Sequence, residues 1–71
     1  MTGSSKTFPV LVREVRRQLG ISQEELAHEL GVSFATINRW ENGKTMPSKM
    51  AKTVWRQFYQ KLIDEGKLND E

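Results

Sequence analysis

Apolar residues recur at helical spacing in four runs along the chain, and each run ends at a glycine: Gly20, Gly31, Gly43 and Gly66. In the first run Leu11, Val12, Val15 and Leu19 share one face, and Pro9 suits a first turn where its missing amide costs nothing. The second opens on Ser22 with Glu25 three residues later, a capping box in which serine oxygen and glutamate carboxylate each take an orphan amide. Leu26, Ala27 and Leu30 line one side of that helix, while Glu24, Glu25, His28 and Glu29 take the rest of its circumference. Val32 plugs the turn that follows. Ser33 caps the third helix, Phe34 to Asn42, which carries Ile37 and Trp40 inward. Pro47 and Ser48 open the fourth, whose stripe of Ala51, Val54, Trp55, Phe58, Tyr59, Leu62 and Ile63 runs as far as Glu65.

This pattern predicts an all-α domain over residues 8–66, with a polar, mobile tail at 1–7 and a second polar tail at 67–71. The centre of the chain, residues 22–43, holds two helices of about two turns joined by three or four residues, which is the geometry of a helix-turn-helix. Supporting helices flank it on both sides. One side of the last stripe, Trp55 with Val54, is expected to pack on the motif. The other, Phe58, Tyr59, Leu62 and Ile63, either closes the core over the first helix or pairs with a second subunit.

At 71 residues there is one small core and no room for a second, ligand-sensing domain. Cysteine is absent, so packing must hold the fold without disulfides or thiolate metal sites, which suits a reducing compartment. No run approaches a membrane span, and MTGSSKTF lacks the apolar core of a signal peptide, so a cytoplasmic protein without membrane association is expected. The net charge of +2 is unevenly placed. Between Ser22 and Thr45, Arg39 and Lys44 face Glu24, Glu25, Glu29 and Glu41, which leaves the motif acidic. The surplus lies in Lys6, Arg13, Arg16 and Arg17 before it and Lys49, Lys52, Arg56 and Lys61 after it, candidates for phosphate contact or a solvated surface. Lys6 alone makes the N-terminal tail a poor minor-groove arm.

Leu26, Ala27, Leu30, Gly31, Val32, Ile37 and Trp40, followed by Glu41-Asn42-Gly43-Lys44, resemble the Cro and phage-repressor (XRE-type) helix-turn-helix proteins. The resemblance covers roughly Val12 to Leu62. It implies a lambda-repressor-like fold, a prokaryotic or phage origin, and double-stranded DNA as the partner. Members of that family usually have a short fourth helix and then a fifth. Here one long periodic run replaces them, with a five-helix arrangement as the alternative, and this departure leaves the family's dimerisation surface in question. A homodimer through the distal end of the last helix stays open.

On the third helix, about 100° of rotation per residue sets Ala35 and Arg39 opposite Ile37 and Trp40, Asn38 and Asn42 on one flank and Thr36 on the other. Base readers are therefore sought in Ala35, Thr36, Asn38 and Arg39: arginine matches guanine, asparagine matches adenine, and a small apolar group suits the thymine methyl. Phe34 occupies the first base-reading position of the family being resembled. Its angle fits either a thymine methyl or the edge of the core. The resemblance also assigns phosphate contact to Gln23, Asn42, Lys44 and Thr45. Arg16 lies inside the apolar stripe of the first helix and needs either a partner or a path to solvent. Glu41, four residues after Ile37, points inward too. The resemblance implies that the two pair, since the family joins its first and third helices in this way.

No nucleophile with a positioned base, phosphate loop or metal-ligand spacing is visible, so the sequence predicts neither enzyme, cofactor nor metal site. A sequence-specific transcriptional regulator, a repressor by preference, is the leading expectation. Two others stand beside it. One is an antitoxin-like module that docks a protein partner through the C-terminal helix, and the other is a DNA-addressing accessory of a DNA-modifying enzyme.

Overall fold

The computed structural model describes residues 7–68. Four helices follow one another: α1 (Phe8–Leu19), α2 (Gln23–Leu30), α3 (Phe34–Glu41) and α4 (Lys49–Asp64). The single long run after the motif is thus one helix of 16 residues, and a five-helix arrangement does not form among the described residues.

Each helix is opened by a hydroxyl. Ser22 Oγ accepts from the Glu25 amide at 3.0 Å, and Glu25 Oε1 accepts from the Ser22 amide at 2.8 Å, completing the capping box. Ser33 accepts from the Thr36 amide and Ser48 from the Ala51 amide. Thr7, assigned by the sequence pattern to the mobile tail, is the N-cap of α1, with its hydroxyl facing the Val10 amide. Residues 1–6 of that expected tail lie outside the described residues.

α2 and α3 meet across the turn at Gly31, which sits in the left-handed region at φ 73°. The Val32 amide reaches back to the Ala27 carbonyl at 3.0 Å, so the turn closes with its hydrogen bonds made. Val12, Val15, Leu26 and Ile37 are fully buried at the centre, with Ala27, Leu30, Trp40, Trp55 and Leu62 around them. Phe8 ties the first, third and fourth helices together. Its ring lies edge-on to Trp40 at 5.4 Å and to Trp55 at 5.5 Å, arrangements favoured by the ring quadrupoles.

The fourth helix departs from its expected packing at one residue. Trp55 is buried on the motif as expected, but Val54 is more than a third exposed. Toward the distal end Leu62 is buried, and Phe58, Tyr59 and Ile63 pack partly buried against the core. This face is spent within the chain. The packed region also continues past Gly66: the Lys67 amide bonds the Leu62 carbonyl at 2.8 Å and Leu68 is buried, so the expected polar tail at 67–71 gives up its first two residues to the fold. Residues 69–71 lie outside the described residues.

Nothing stands within 4 Å of where a Cβ at Gly31 would project, so only backbone strain opposes a side chain there. Gly31→Ala should lower unfolding free energy by about 1–2 kcal/mol. Gly31→Asn, which tolerates the left-handed conformation, should lose less; equal losses in chemical denaturation would show that crowding, not backbone, sets the cost.

Candidate nucleic-acid interface

The third helix is held from below and open above. Ile37 and Trp40 sink into the core, and Glu41 at the end of the helix is buried with 4% of its surface exposed. A buried carboxylate survives only if its charge is matched. Arg16 on α1 supplies the match in a two-pronged contact, Nε to Oε2 at 2.6 Å and Nη2 to Oε1 at 3.0 Å, and its third donor reaches the Ile21 carbonyl at 3.1 Å. Arg13 donates to the backbone carbonyl of Glu41 at 2.8 Å. Two arginines of α1 therefore clamp the end of α3.

A further donor arrives from the second helix. Gln23 Nε2 donates to Glu41 Oε1 at 2.8 Å, and its other end, Oε1, accepts from Asn38 Nδ2 at 3.3 Å. Asn42 Nδ2 in turn donates to the Asn38 carbonyl at 2.9 Å and to Asn38 Oδ1 at 3.1 Å. A continuous chain of hydrogen bonds runs from the buried ion pair to the surface of α3. Burial alone would push the Glu41 carboxyl up. The hydrogen bonds from Arg16 and Gln23 and the charges of Arg16 and Arg13 outweigh burial and hold it below the ordinary carboxylate range.

The outward residues of α3 fall into two sets. Phe34, Ala35 and Arg39 are exposed. Phe34 keeps 49% of its surface and is not among the side chains packed on the core, which counts against the core-edge reading. Arg39 takes no ion-pair partner among the described residues. Thr36 and Asn38 are half-buried, and the Thr36 hydroxyl lies 2.9 Å from Ser33 Oγ.

For the phosphate candidates the arrangement is mixed. Lys44 and Thr45 stand exposed in the loop after α3, but Gln23 and Asn42 have their amide nitrogens engaged inside the protein. Among the basic flanks, Arg13 and Arg16 serve Glu41, and Arg17 pairs with Glu14. Those three are therefore occupied as structural cations. Lys49, Lys52, Arg56 and Lys61 are exposed on α4, and Lys6 lies outside the described residues. The linking role of Gln23 was missed from the sequence, although a signal existed: it precedes Leu26 by three residues and Ala27 by four, on the face that α2 buries.

A short helix capped by serine, joined through a left-handed glycine to a second helix whose outer side is free, defines a helix-turn-helix domain. A family model described as helix-turn-helix matches residues 12–50, and the chain belongs to this XRE-type helix-turn-helix family. It is 39% identical over 62 residues to an uncharacterized HTH-type transcriptional regulator of Methanothermobacter thermautotrophicus, covering 86% of this chain and 90% of the relative. It is also 43% identical over 52 residues to the type II methyltransferase M1.ScrFI of Lactococcus lactis subsp. cremoris, covering 69% of this chain and 13% of that enzyme. Identity to the HTH-type transcriptional activator BcrR of Enterococcus faecalis is 33% over 58 residues, 82% of this chain and 28% of BcrR. The chain thus spans nearly all of one relative and a minor part of the other two. No solved structure matches it.

Glu41 also sets an acid limit on stability. Its folded-state pKa lies below the unfolded value, so its contribution is complete above the unfolded-state pKa of about 4.3 and is lost as pH falls through the folded value. Chemical denaturation between pH 7 and pH 2.5 should show stability falling below about pH 4.3, and Glu41→Gln should flatten that fall. Glu41→Ala leaves Arg16 uncompensated and should cost about 3 kcal/mol at pH 7, the lower end for a broken buried pair because a quarter of the Arg16 side chain remains exposed. A cost near zero would mean that Arg16 simply turns to solvent.

Proposed function

We propose that this chain binds double-stranded DNA sequence-specifically and regulates transcription, with α3 lying in the major groove. The observation that carries the reading is the two-sidedness of α3: Ile37, Trp40 and Glu41 fix the helix to the body, while Phe34, Ala35 and Arg39 stand clear of it. A rigid helix with one free face is what groove readout requires. Arg39 reads guanine through its two acceptors, Asn38 reads adenine, and Ala35 and Phe34 meet thymine methyls, with Thr36 at the edge of the contact. Lys44 and Thr45 anchor the backbone without reading sequence. Occupation of an operator that excludes polymerase makes the chain a repressor. A two-fold dimer would place its half-sites about 34–36 Å apart.

A second reading has one observation in its favour. The match to M1.ScrFI is confined to 13% of that methyltransferase, which is how a DNA-addressing part shared with a DNA-modifying enzyme would look. Docking of a protein partner on the distal part of α4 has less support, since Leu62 is buried and Phe58, Tyr59 and Ile63 pack on the core.

Selection of bound sequences from a random duplex pool at near-physiological salt should enrich one motif, and its symmetry reports the number of subunits. Arg39→Ala should relax specificity at one base pair with a loss of about 1–3 kcal/mol. Lys44→Ala should weaken all sequences evenly and lower the slope of log affinity against log salt by about 1. Indifference to both substitutions overturns the groove-reading assignment.

A further inference from the structure

The hydrogen-bond chain from Glu41 to Asn42 has a direction, and that direction follows from chemistry. An ionised carboxylate only accepts, so the group that Gln23 turns toward Glu41 must be its NH2. The Gln23 oxygen then faces the other way and requires a donor, which is Asn38 Nδ2 at 3.3 Å. With its nitrogen turned toward α2, Asn38 has its oxygen on the opposite side, where Asn42 Nδ2 donates to it at 3.1 Å. An inverted carboxamide at Gln23 or Asn38 would set oxygen against oxygen or nitrogen against nitrogen. Each polar atom of Asn38 keeps one unused valence: a second N–H on the α2 side and a second lone pair on the Asn42 side. Adenine offers the complement, an acceptor at N7 beside a donor at N6.

We propose that Gln23 is a positioning residue for Asn38, passing the polarity of the buried Glu41 carboxylate to the Asn38 carboxamide and so fixing the one orientation in which an adenine is read. The inference rests on α3 being the groove-reading helix. It gives Gln23 a role in specificity in place of phosphate contact: it decides which strand carries the adenine at the base pair beneath Asn38. A freely rotating asparagine would accept either orientation of that pair with a modest change of rotamer. The tethered one does not.

The test compares the unaltered protein with Gln23→Met, Gln23→Glu, Asn38→Ala and the combination of Gln23→Met with Asn38→Ala, each checked for cooperative thermal unfolding and then applied to the random duplex pool. Gln23→Met keeps the length of the side chain and removes both ends of the relay. It should reduce the adenine preference at one base pair about five- to tenfold, the worth of one ordering hydrogen bond, with the Arg39 base pair unchanged. Adding Asn38→Ala to it should cost little more. Gln23→Glu places a carboxylate oxygen against Glu41 Oε1 in place of the donor, so it should lose the adenine preference at least as far as Gln23→Met does.

A different pattern overturns the inference: Gln23→Met weakening every sequence equally, with the adenine preference intact and the salt dependence unchanged, makes Gln23 a neutral phosphate ligand only. Should Gln23→Met fail to unfold cooperatively, side-chain amide exchange in the unaltered protein decides. The Nε2 protons of Gln23 should exchange more slowly than those of Gln57, exposed on α4, and equal rates refute the relay. If the unaltered protein enriches no motif although the Gln23 protons are protected, the groove-reading assignment has failed and takes this inference with it. An enriched motif whose adenine preference survives Gln23→Met refutes the relay alone.

Discussion

A carboxylate with 4% of its surface exposed, at the end of α3, is the constraint on which this small domain turns. Glu41 could not remain there without Arg16, and Arg16 could not lie in the apolar stripe of α1 without Glu41. Their pairing joins the first helix to the third across the motif. It also draws in Arg13 through the helix-end carbonyl and Gln23 through the second carboxylate oxygen, so one charge orders side chains from three helices. Hydrophobic burial fixes how deep α3 sits. The polar cluster fixes its end and the orientation of the amides beside it.

Much of this was legible in the residues, for local reasons. Ser22, Ser33 and Ser48 as caps and the four closing glycines are matters of sequence distance of a few residues, and the structure places each helix boundary within about one residue of the pattern. Arg16 stood out because it broke a stripe, and the structure sets its guanidinium on Glu41. The features that escaped depend on contacts between distant segments. Phe8 was given no packing role by the helical pattern, yet it lies between two tryptophans contributed by α3 and α4. Leu68 looked like part of a polar terminus, yet the turn at Gly66 folds it back onto the core. Gln23 and Asn38 were each read as facing outward to DNA. Which of their atoms faces which neighbour is decided by a carboxylate 18 residues from one of them, and no helical wheel carries that information.

The same comparison reassigns the charges. A count of basic residues around the motif suggests a broad phosphate-binding surface, but three arginines of α1 are committed to Glu41 and Glu14. Cations without a carboxylate partner among the described residues include Arg39 and Lys44 in the motif and Lys49, Lys52, Arg56 and Lys61 on α4. The electrostatic footprint is thus narrower than the composition suggests.

α2 and α3 are eight residues each, well below the length at which an isolated helix is stable in water. The outer face of α3 therefore exists only while the shared core exists, and there is no partly folded state in which α3 alone retains its shape. Folding and target recognition are then one linked equilibrium. A duplex that engages only the folded form acts as a stabilising ligand, adding RT ln(1 + [L]/Kd) to the unfolding free energy, about 2.7 kcal/mol at a hundredfold excess over Kd. In a chain this short, held by one core, an occupied site and an empty one would differ in lifetime as well as in function, with bound copies the slower to unfold and be degraded.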